Sequence, residues 1–248
     1  MNEVKKLGLI GKNISYSFSQ NYFSQKFIEA KINSDFSYSN YDIQNIDEFP
    51  EIIANNPELI GLNVTIPYKE TIIPFLDELS DNAKQIGAVN TIKILPSGKL
   101  FGDNTDFFGF NKSLKTLLES YHKKALILGT GGAAKAVAFG LNKLNIESVF
   151  VSREAKENCI LYSELNQEIF NNYQIIINCS PVGTFPNNEL CPNIPYEYFT
   201  TNHIAFDLIY NPEETKFLKL AKNNGAIIKN GHEMLVFQAE EAWKIWNS

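Results

Sequence analysis

Arginine is almost missing from this chain: Arg153 is the only one among 22 basic residues, and the net charge is −6. No basic face remains for a phosphate backbone, so nucleic acid is excluded as the main partner. Cysteine is scarce too. Cys159, Cys179 and Cys191 follow no CxxC spacing, which excludes a disulfide framework and reads as reduced thiols. The histidines, His122, His203 and His232, stand far apart, so no metal site is expected. Long apolar runs are lacking: Ala125 to Leu128 is far too short to span a bilayer. Residues 1–12 carry lysines but no signal-length apolar segment, so a cytoplasmic location is expected. What is present is a globular composition, 44% hydrophobic and 20% charged. Its 248 residues fit one large domain or two modest ones.

The first part of the chain alternates strand-like and helix-like segments. Val4 to Gly11 and Ile60 to Ile66 read as strands, the second ended by Pro67, which has no N–H for a ladder. Gln20 to Lys31 places Phe23, Phe27 and Ala30 at helical spacing. Thr91 to Leu95 and Leu100 to Gly102 flank a Pro-Ser-Gly-Lys turn and predict a hairpin. Phe107, Phe110, Leu114, Leu117 and Leu118 mark one face of a helix that Asp106 is placed to cap. From Lys123 the pattern becomes strand–helix alternation, with strands expected at Ala125–Leu128, Ser148–Val151, Ile175–Asn178 and Ile204–Leu208. That is the sequence form of a doubly wound α/β domain. A last helix from about Glu233 carries Trp243 and Trp246, which are expected to pack within the chain rather than at a subunit interface.

The strand Leu126-Ile127-Leu128 runs into Gly129-Thr130-Gly131-Gly132-Ala133-Ala134. Gly129 permits a tight turn, Gly131 lets backbone approach a pyrophosphate, and Ala134 allows close helix–strand packing. The helix start then offers N–H groups to phosphate oxygens. The next strand ends at Ser152-Arg153-Glu154, where an NAD site would carry an acidic side chain for the ribose hydroxyls. Arginine there matches a 2′-phosphate instead, which points to NADP. Glu154 either opposes that phosphate or faces water.

Three polar clusters precede this domain. In Ser15-Tyr16-Ser17-Phe18-Ser19, Ser17 and Ser19 share a face if the segment is extended, although on these residues alone a polar loop with a helix N-cap is the preferred reading. In Asn63-Val64-Thr65-Ile66-Pro67-Tyr68-Lys69, Asn63 and Thr65 project to one side of a strand and Lys69 follows the turn. Asn90-Thr91 and Asn104-Thr105-Asp106 flank the hairpin.

These motifs, with Gly61 to Lys69, Gly87 to Thr91, Gly102 to Asp106, Asn178 to Gly183, Asp207 to Pro212 and Gly231 to Gln238 in one order, resemble the shikimate dehydrogenase family over nearly the whole chain. The resemblance implies an amino-terminal α/β substrate domain, residues 1–105 with 232–248, and a Rossmann-type NADP domain, residues 106–231. It implies Lys69 and Asp106 as the catalytic pair. It implies Ser17, Ser19, Asn63, Thr65, Asn90 and Gln238 as substrate contacts, with Tyr210 near substrate and nicotinamide. Gly129, Thr130, Gly131, Gly132, Ala133, Ser152, Arg153 and Gly231 are implied at the cofactor. The family's Asn-Arg-Thr motif stands here as Ser152-Arg153-Glu154. Tyr16, Gln20 and Thr184 also replace the usual histidine, proline and methionine.

The residue chemistry agrees with these implications. A polyhydroxylated ring acid needs many neutral donors and acceptors, which Ser, Thr, Asn and Gln supply. Reducing a ring ketone needs a hydride from the cofactor and a proton for the developing alkoxide. Lys69 and Asp106 can manage that proton. The expected reaction is NADPH-dependent reduction of 3-dehydroshikimate to shikimate, in a monomer or homodimer. An NAD-using quinate/shikimate enzyme and a non-catalytic sensor of the same ligands are the alternatives.

Overall fold

The computed structural model describes residues 4–14 and 17–248. The chain divides into two compact units, residues 1–105 with 239–248, and residues 106–238.

The first unit holds β1 (Lys5–Gly11), α1 (Phe18–Glu29), β2 (Phe36–Asp42), α2 (Phe49–Asn55) and β3 (Leu59–Val64). It continues with β4 (Glu78–Leu79), α3 (Asp81–Ile86), β5 (Thr91–Ile94) and β6 (Leu100–Asp103). The sheet order is β2-β1-β3-β5-β6-β4. β2, β1 and β3 run parallel, while β5 is antiparallel to β3 and β6. One face packs Leu7, Leu9, Phe23, Phe27, Ala239 and Trp246 together, and the other packs Ile10, Phe49, Leu62, Val64 and Ile72. Trp246 donates its indole N–H to the Ile92 carbonyl at 2.9 Å, so this tryptophan is a core residue, as expected.

The second unit holds α4 (Asp106–Leu114), β7 (Lys124–Leu128), α5 (Gly132–Lys143), β8 (Glu147–Ser152), β9 (Cys159–Leu161) and α6 (Gln167–Asn172). β10 (Ile175–Asn178), β11 (Ile204–Asp207), α7 (Lys216–Asn223), β12 (Ile227–Lys229) and α8 (His232–Asn247) complete it, with α8 giving its residues from Ala239 onward to the first unit. All pairings are parallel, in the order β12-β11-β10-β7-β8-β9. This is the doubly wound Rossmann order, with its switch point between β7 and β10. Ala125, Ile127, Ile175, Ile177, Ile204 and Phe206 face α4 and α5, and Leu126, Leu128, Ile176 and Ala205 face α6 and α7. Apolar residues at both parities are what a sheet covered on both faces requires.

Three sequence expectations need correction. Asp106 is the first residue of α4 rather than its cap, where a carboxylate complements the helix dipole. The helix stops at Leu114 because Thr116 Oγ1 bonds the Ser113 carbonyl at 3.3 Å and the chain tightens into a 3-10 turn. β2 is absent from the sequence reading. It is an edge strand of Phe, Tyr, Ser and Asn, only partly buried, so it carries no apolar run to betray it.

Candidate active site

At the switch point of the second unit, β7 ends in a turn that only glycine enters easily: Gly129 has φ +113°. Its N–H bonds the Val151 carbonyl at 3.1 Å, tying the turn to β8. Gly131 stands at the start of α5 in extended conformation, and no side chain caps the helix. A Cβ built on Gly131 would meet nothing within 4 Å. The open space lies where the first-turn N–H groups of Gly132, Ala133 and Ala134 have no carbonyl behind them. Ala134 is fully buried against the sheet. This cradle fits a pyrophosphate: small residues, unpaired donors and the positive end of a twelve-residue helix.

At the tip of β8, Ser152 is buried and its Oγ accepts the Glu154 N–H at 3.2 Å, folding the chain over. Arg153 and Glu154 are both exposed. The Arg153 charge acts on Tyr162, opposing the upward push that burial gives the phenol. Lys156 Nζ lies 3.5 Å from Thr130 Oγ1, so a second cation stands over the glycine turn. The sequence reading passed over Lys156, although its spacing from Arg153 in an arginine-poor chain was a usable signal.

Gly231 has a structural task. Its N–H donates to the Ile209 carbonyl at 3.0 Å, and a Cβ would run into the Leu208 backbone. Half-buried Tyr210 follows directly. Asp207, fully buried, anchors this region: Thr215 Oγ1 donates to it at 2.6 Å, Asn178 Nδ2 at 3.0 Å and the Ile209 N–H at 3.1 Å. Burial raises its pKa to about 7 against those three donors. The Cys179 thiol beside it is pushed well above the ordinary value by burial, with Asp207 and Asp106 adding to the effect.

In the first unit the amides and hydroxyls form one buried group. Asn63, Asn90, Thr91, Asn104 and Thr105 are all at most 4% exposed. Asn63 Nδ2 donates to the Asn90 carbonyl at 3.2 Å and to Thr91 Oγ1 at 3.4 Å. Asn90 Oδ1 accepts the Thr105 N–H at 2.7 Å, and Asn90 Nδ2 donates to Thr105 Oγ1 at 3.1 Å. Lys69, half-buried, is tied to the same place through its backbone, since its carbonyl accepts the Val89 N–H at 2.7 Å. Residue 69 is therefore bonded next to Asn90, and the residue before Asp106 is bonded to Asn90 itself. Asp106 is 5% exposed.

Ser17 caps α1, its Oγ accepting the Gln20 N–H at 3.2 Å, and Ser19 lies inside the helix. The helix-cap reading of this segment thus holds, and the extended alternative with Ser17 and Ser19 on one face does not, because the cap bond begins the helix at Phe18. Ser15 and Tyr16 of the same cluster lie outside the described residues. Asp42 accepts the Asn13 and Ile14 N–H groups at 2.8 and 3.1 Å. β3 ends at Val64, so Thr65 falls one residue past it, with its N–H on the Ile10 carbonyl at 2.8 Å. Gln238 is buried in α8, Nε2 donating to the Leu235 carbonyl at 2.8 Å. Among the described residues no cluster of His, Cys, Asp and Glu could hold a metal ion, and no helix is long and apolar enough to cross a membrane.

Comparison with known proteins places this architecture. Residues 9–92 match the family described as "Shikimate dehydrogenase substrate binding domain". A relative from Caldicellulosiruptor bescii named "Shikimate dehydrogenase (NADP(+))" is 40% identical over 98% of this chain and 89% of its own. The crystal structure of shikimate dehydrogenase from Aquifex aeolicus superposes with a TM-score of 0.87 at 35% identity, covering 98% of this chain and 92% of that one. Shikimate 5-dehydrogenase from Thermus thermophilus, solved in complex with NADP(H) and shikimate, gives 0.86 at 30% identity, covering 98% and 93%.

Proposed function

The chain belongs to the shikimate dehydrogenase family, and on that premise we propose that Lys69 and Asp106 are its catalytic pair in the reduction of 3-dehydroshikimate to shikimate. It is an NADP-dependent oxidoreductase of the shikimate pathway, which leads to aromatic amino acids. Residues 1–105 with the end of α8 hold the substrate, and the Rossmann unit holds the cofactor. Ser17, Ser19, Asn63, Thr65, Asn90, Tyr210 and Gln238 contact the ring acid. The enzyme works in the cytoplasm, with reduced cysteines, as a monomer or homodimer.

The observation that carries this reading is the buried amide–hydroxyl group around Asn90, which bonds the residue preceding the aspartate and whose neighbour Val89 bonds the lysine's backbone. Such groups recognise hydroxyls through fixed neutral donors and acceptors, and a ligand lacking them would leave buried polar atoms unpaired. The glycine turn, Thr130, Gly132 and Ala133 hold the pyrophosphate. Ser152, Arg153 and Lys156 hold the adenosine end, and Gly231 sets the backbone beside the nicotinamide. When bound, NADPH supplies the hydride. Lys69 stabilises the oxygen where negative charge develops and donates the proton, while Asp106 binds a ring hydroxyl.

Turnover with NADPH or NAD(H), each against dehydroshikimate and dehydroquinate, tests the assignment. Lys69→Ala should lower kcat roughly a hundredfold or more with a smaller effect on shikimate binding. Asp106→Asn should also be severe, and the double variant should lose less than the product of the single losses. An unchanged kcat in Lys69→Ala removes the lysine from the chemistry.

A further inference from the structure

The buried hydrogen bonds of the first unit have a direction. Tyr38 donates to Asn63 Oδ1 at 2.8 Å. Asn63 Nδ2 donates to Thr91 Oγ1 at 3.4 Å, and Thr91 Oγ1 donates to Asn90 Oδ1 at 3.0 Å. The chain thus crosses β2, β3 and β5, and two of its four members, Asn63 and Asn90, are proposed substrate contacts. The other two are Tyr38, which holds the Asn63 amide from β2, and Thr91, which joins Asn63 to Asn90.

Both links are built as links. Tyr38 is 6% exposed and its ring lies between layers, stacked on Phe23 at 4.8 Å between centroids. Thr91 is wholly buried. Each has a single hydroxyl, which can donate only once. Tyr38 spends its proton on Asn63, whose amide oxygen lies toward β2 and whose nitrogen lies toward β5. Thr91 spends its proton on Asn90 Oδ1, which also takes the Thr105 N–H. That oxygen is therefore engaged, and Asn90 Nδ2 donates to Thr105 Oγ1 at 3.1 Å. A lone asparagine can flip its amide at little cost, and then presents an acceptor where a donor was. Here backbone groups remove that choice, the Asn90 carbonyl for Asn63 and the Thr105 N–H for Asn90, and the two hydroxyls hold the oriented amides in place.

We infer that Tyr38 and Thr91 are positioning residues for the ring acid: by joining Asn63 and Asn90 into one buried chain, they hold in place the two asparagine amides that the Asn90 carbonyl and the Thr105 N–H orient. The inference rests on the functional reading above. Neither residue touches the reacting atoms, so their loss should act on substrate binding and leave the chemical step and the cofactor largely alone.

The test uses the full-length enzyme with shikimate and NADP+, comparing Tyr38→Phe, Thr91→Val and Thr91→Ser. Tyr38→Phe keeps the stacked ring, and Thr91→Val keeps the volume. Either should raise KM for shikimate roughly fivefold to tenfold, the order of one lost buried hydrogen bond. KM for NADP+ should not move, and kcat should change less than about threefold. Thr91→Ser restores the hydroxyl and should return KM to near the wild-type value. A purely structural role would lower the thermal midpoint without this split and without rescue by serine. Asn63→Ala with Tyr38→Phe should be no worse than Asn63→Ala alone, because both break the same link. If Tyr38→Phe does not fold, the Val/Ser pair at Thr91 decides. A wild-type KM for shikimate in folded Thr91→Val overturns the inference. A wild-type enzyme that turns over neither shikimate nor dehydroshikimate overturns the functional reading, and this inference with it, before any variant is compared.

Discussion

Asn178 and Asp207 face each other in register on neighbouring parallel strands, and the amide of one donates to the carboxyl of the other at 3.0 Å. The pair joins the ends of β10 and β11. From it, Asn178 Oδ1 accepts the Ser180 N–H at 3.1 Å, and Asp207 accepts the Ile209 N–H at 3.1 Å, so two loops at the carboxyl edge of the sheet start from one anchor.

That anchor should titrate in the neutral range. Burial raises the Asp207 pKa from 3.8 to about 7. The folded protein then binds more protons than the unfolded chain between those values, so this group's contribution favours folding at low pH and is lost as pH rises through about 7. The Asp207→Asn variant removes the titration. Urea unfolding at pH 5 and pH 8.5 should show the stability of wild type, relative to Asp207→Asn, falling by a few kcal/mol toward alkaline pH. A difference independent of pH would show the carboxyl to be ionised throughout.

The buried histidines should act in the opposite sense. His122 Nδ1 accepts the Glu119 N–H at 2.9 Å while Nε2 bonds the Asn202 carbonyl at 3.1 Å. His203 Nδ1 accepts the Thr200 N–H at 3.0 Å while Nε2 bonds the Phe170 carbonyl at 3.0 Å. Each ring is thereby held neutral, and burial lowers both pKa values below the ordinary 6.5. Their contribution is full above that value and is lost as pH falls below it, by at most about 1.4 kcal/mol per pH unit for each ring. His203→Gln should be less stable at pH 7.5 yet less sensitive to acid between pH 7 and 5. An acid limb identical to wild type would assign the effect to carboxylates.

The two glycines of the nucleotide turn should separate folding from binding. Gly129→Ala places a side chain at φ +113° and should cost stability of roughly 1 kcal/mol or more. Gly131→Val meets no protein atom within 4 Å of its Cβ, so its thermal midpoint should stay close to wild type while KM for NADP+ rises. Wild-type cofactor binding in Gly131→Val would move the pyrophosphate elsewhere.

The cations beside that turn should set cofactor choice. Arg153→Ala should raise KM for NADP+ about tenfold to a hundredfold and leave NAD+ nearly unchanged, the range for charge-assisted hydrogen bonds to the 2′-phosphate. Lys156→Ala should act in the same direction by a smaller factor, since lysine brings charge without the paired donors. Both effects should shrink with added salt. Equal losses for the two cofactors in Arg153→Ala would give the arginine a role in the fold or at the adenine.

Much of the second unit was readable along the chain. Ala125 to Leu128, Ile175 to Asn178 and Ile204 to Asp207 are apolar at both parities, and that pattern belongs to strands covered on two faces. Gly129 and Gly131 carry their backbone requirements in their identity. Arg153 stood out by the absence of any other arginine. β2 was not readable, because half-buried edge strands mix Ser, Asn and aromatics without a run. Tyr38 was invisible with it.

Local pattern, side-chain volume and backbone freedom act between near neighbours, so the amino-acid sequence by itself determined the doubly covered strands of the second unit, the glycine turn and the motifs around Lys69 and Asp106. Which amide oxygen meets which hydroxyl, as in Tyr38–Asn63 and Asn178–Asp207, joins residues 25 and 29 positions apart. Only tertiary structure decided these pairs. Burial removes water as the alternative partner, and a buried polar group must then bond to whichever strand the sheet order sets beside it.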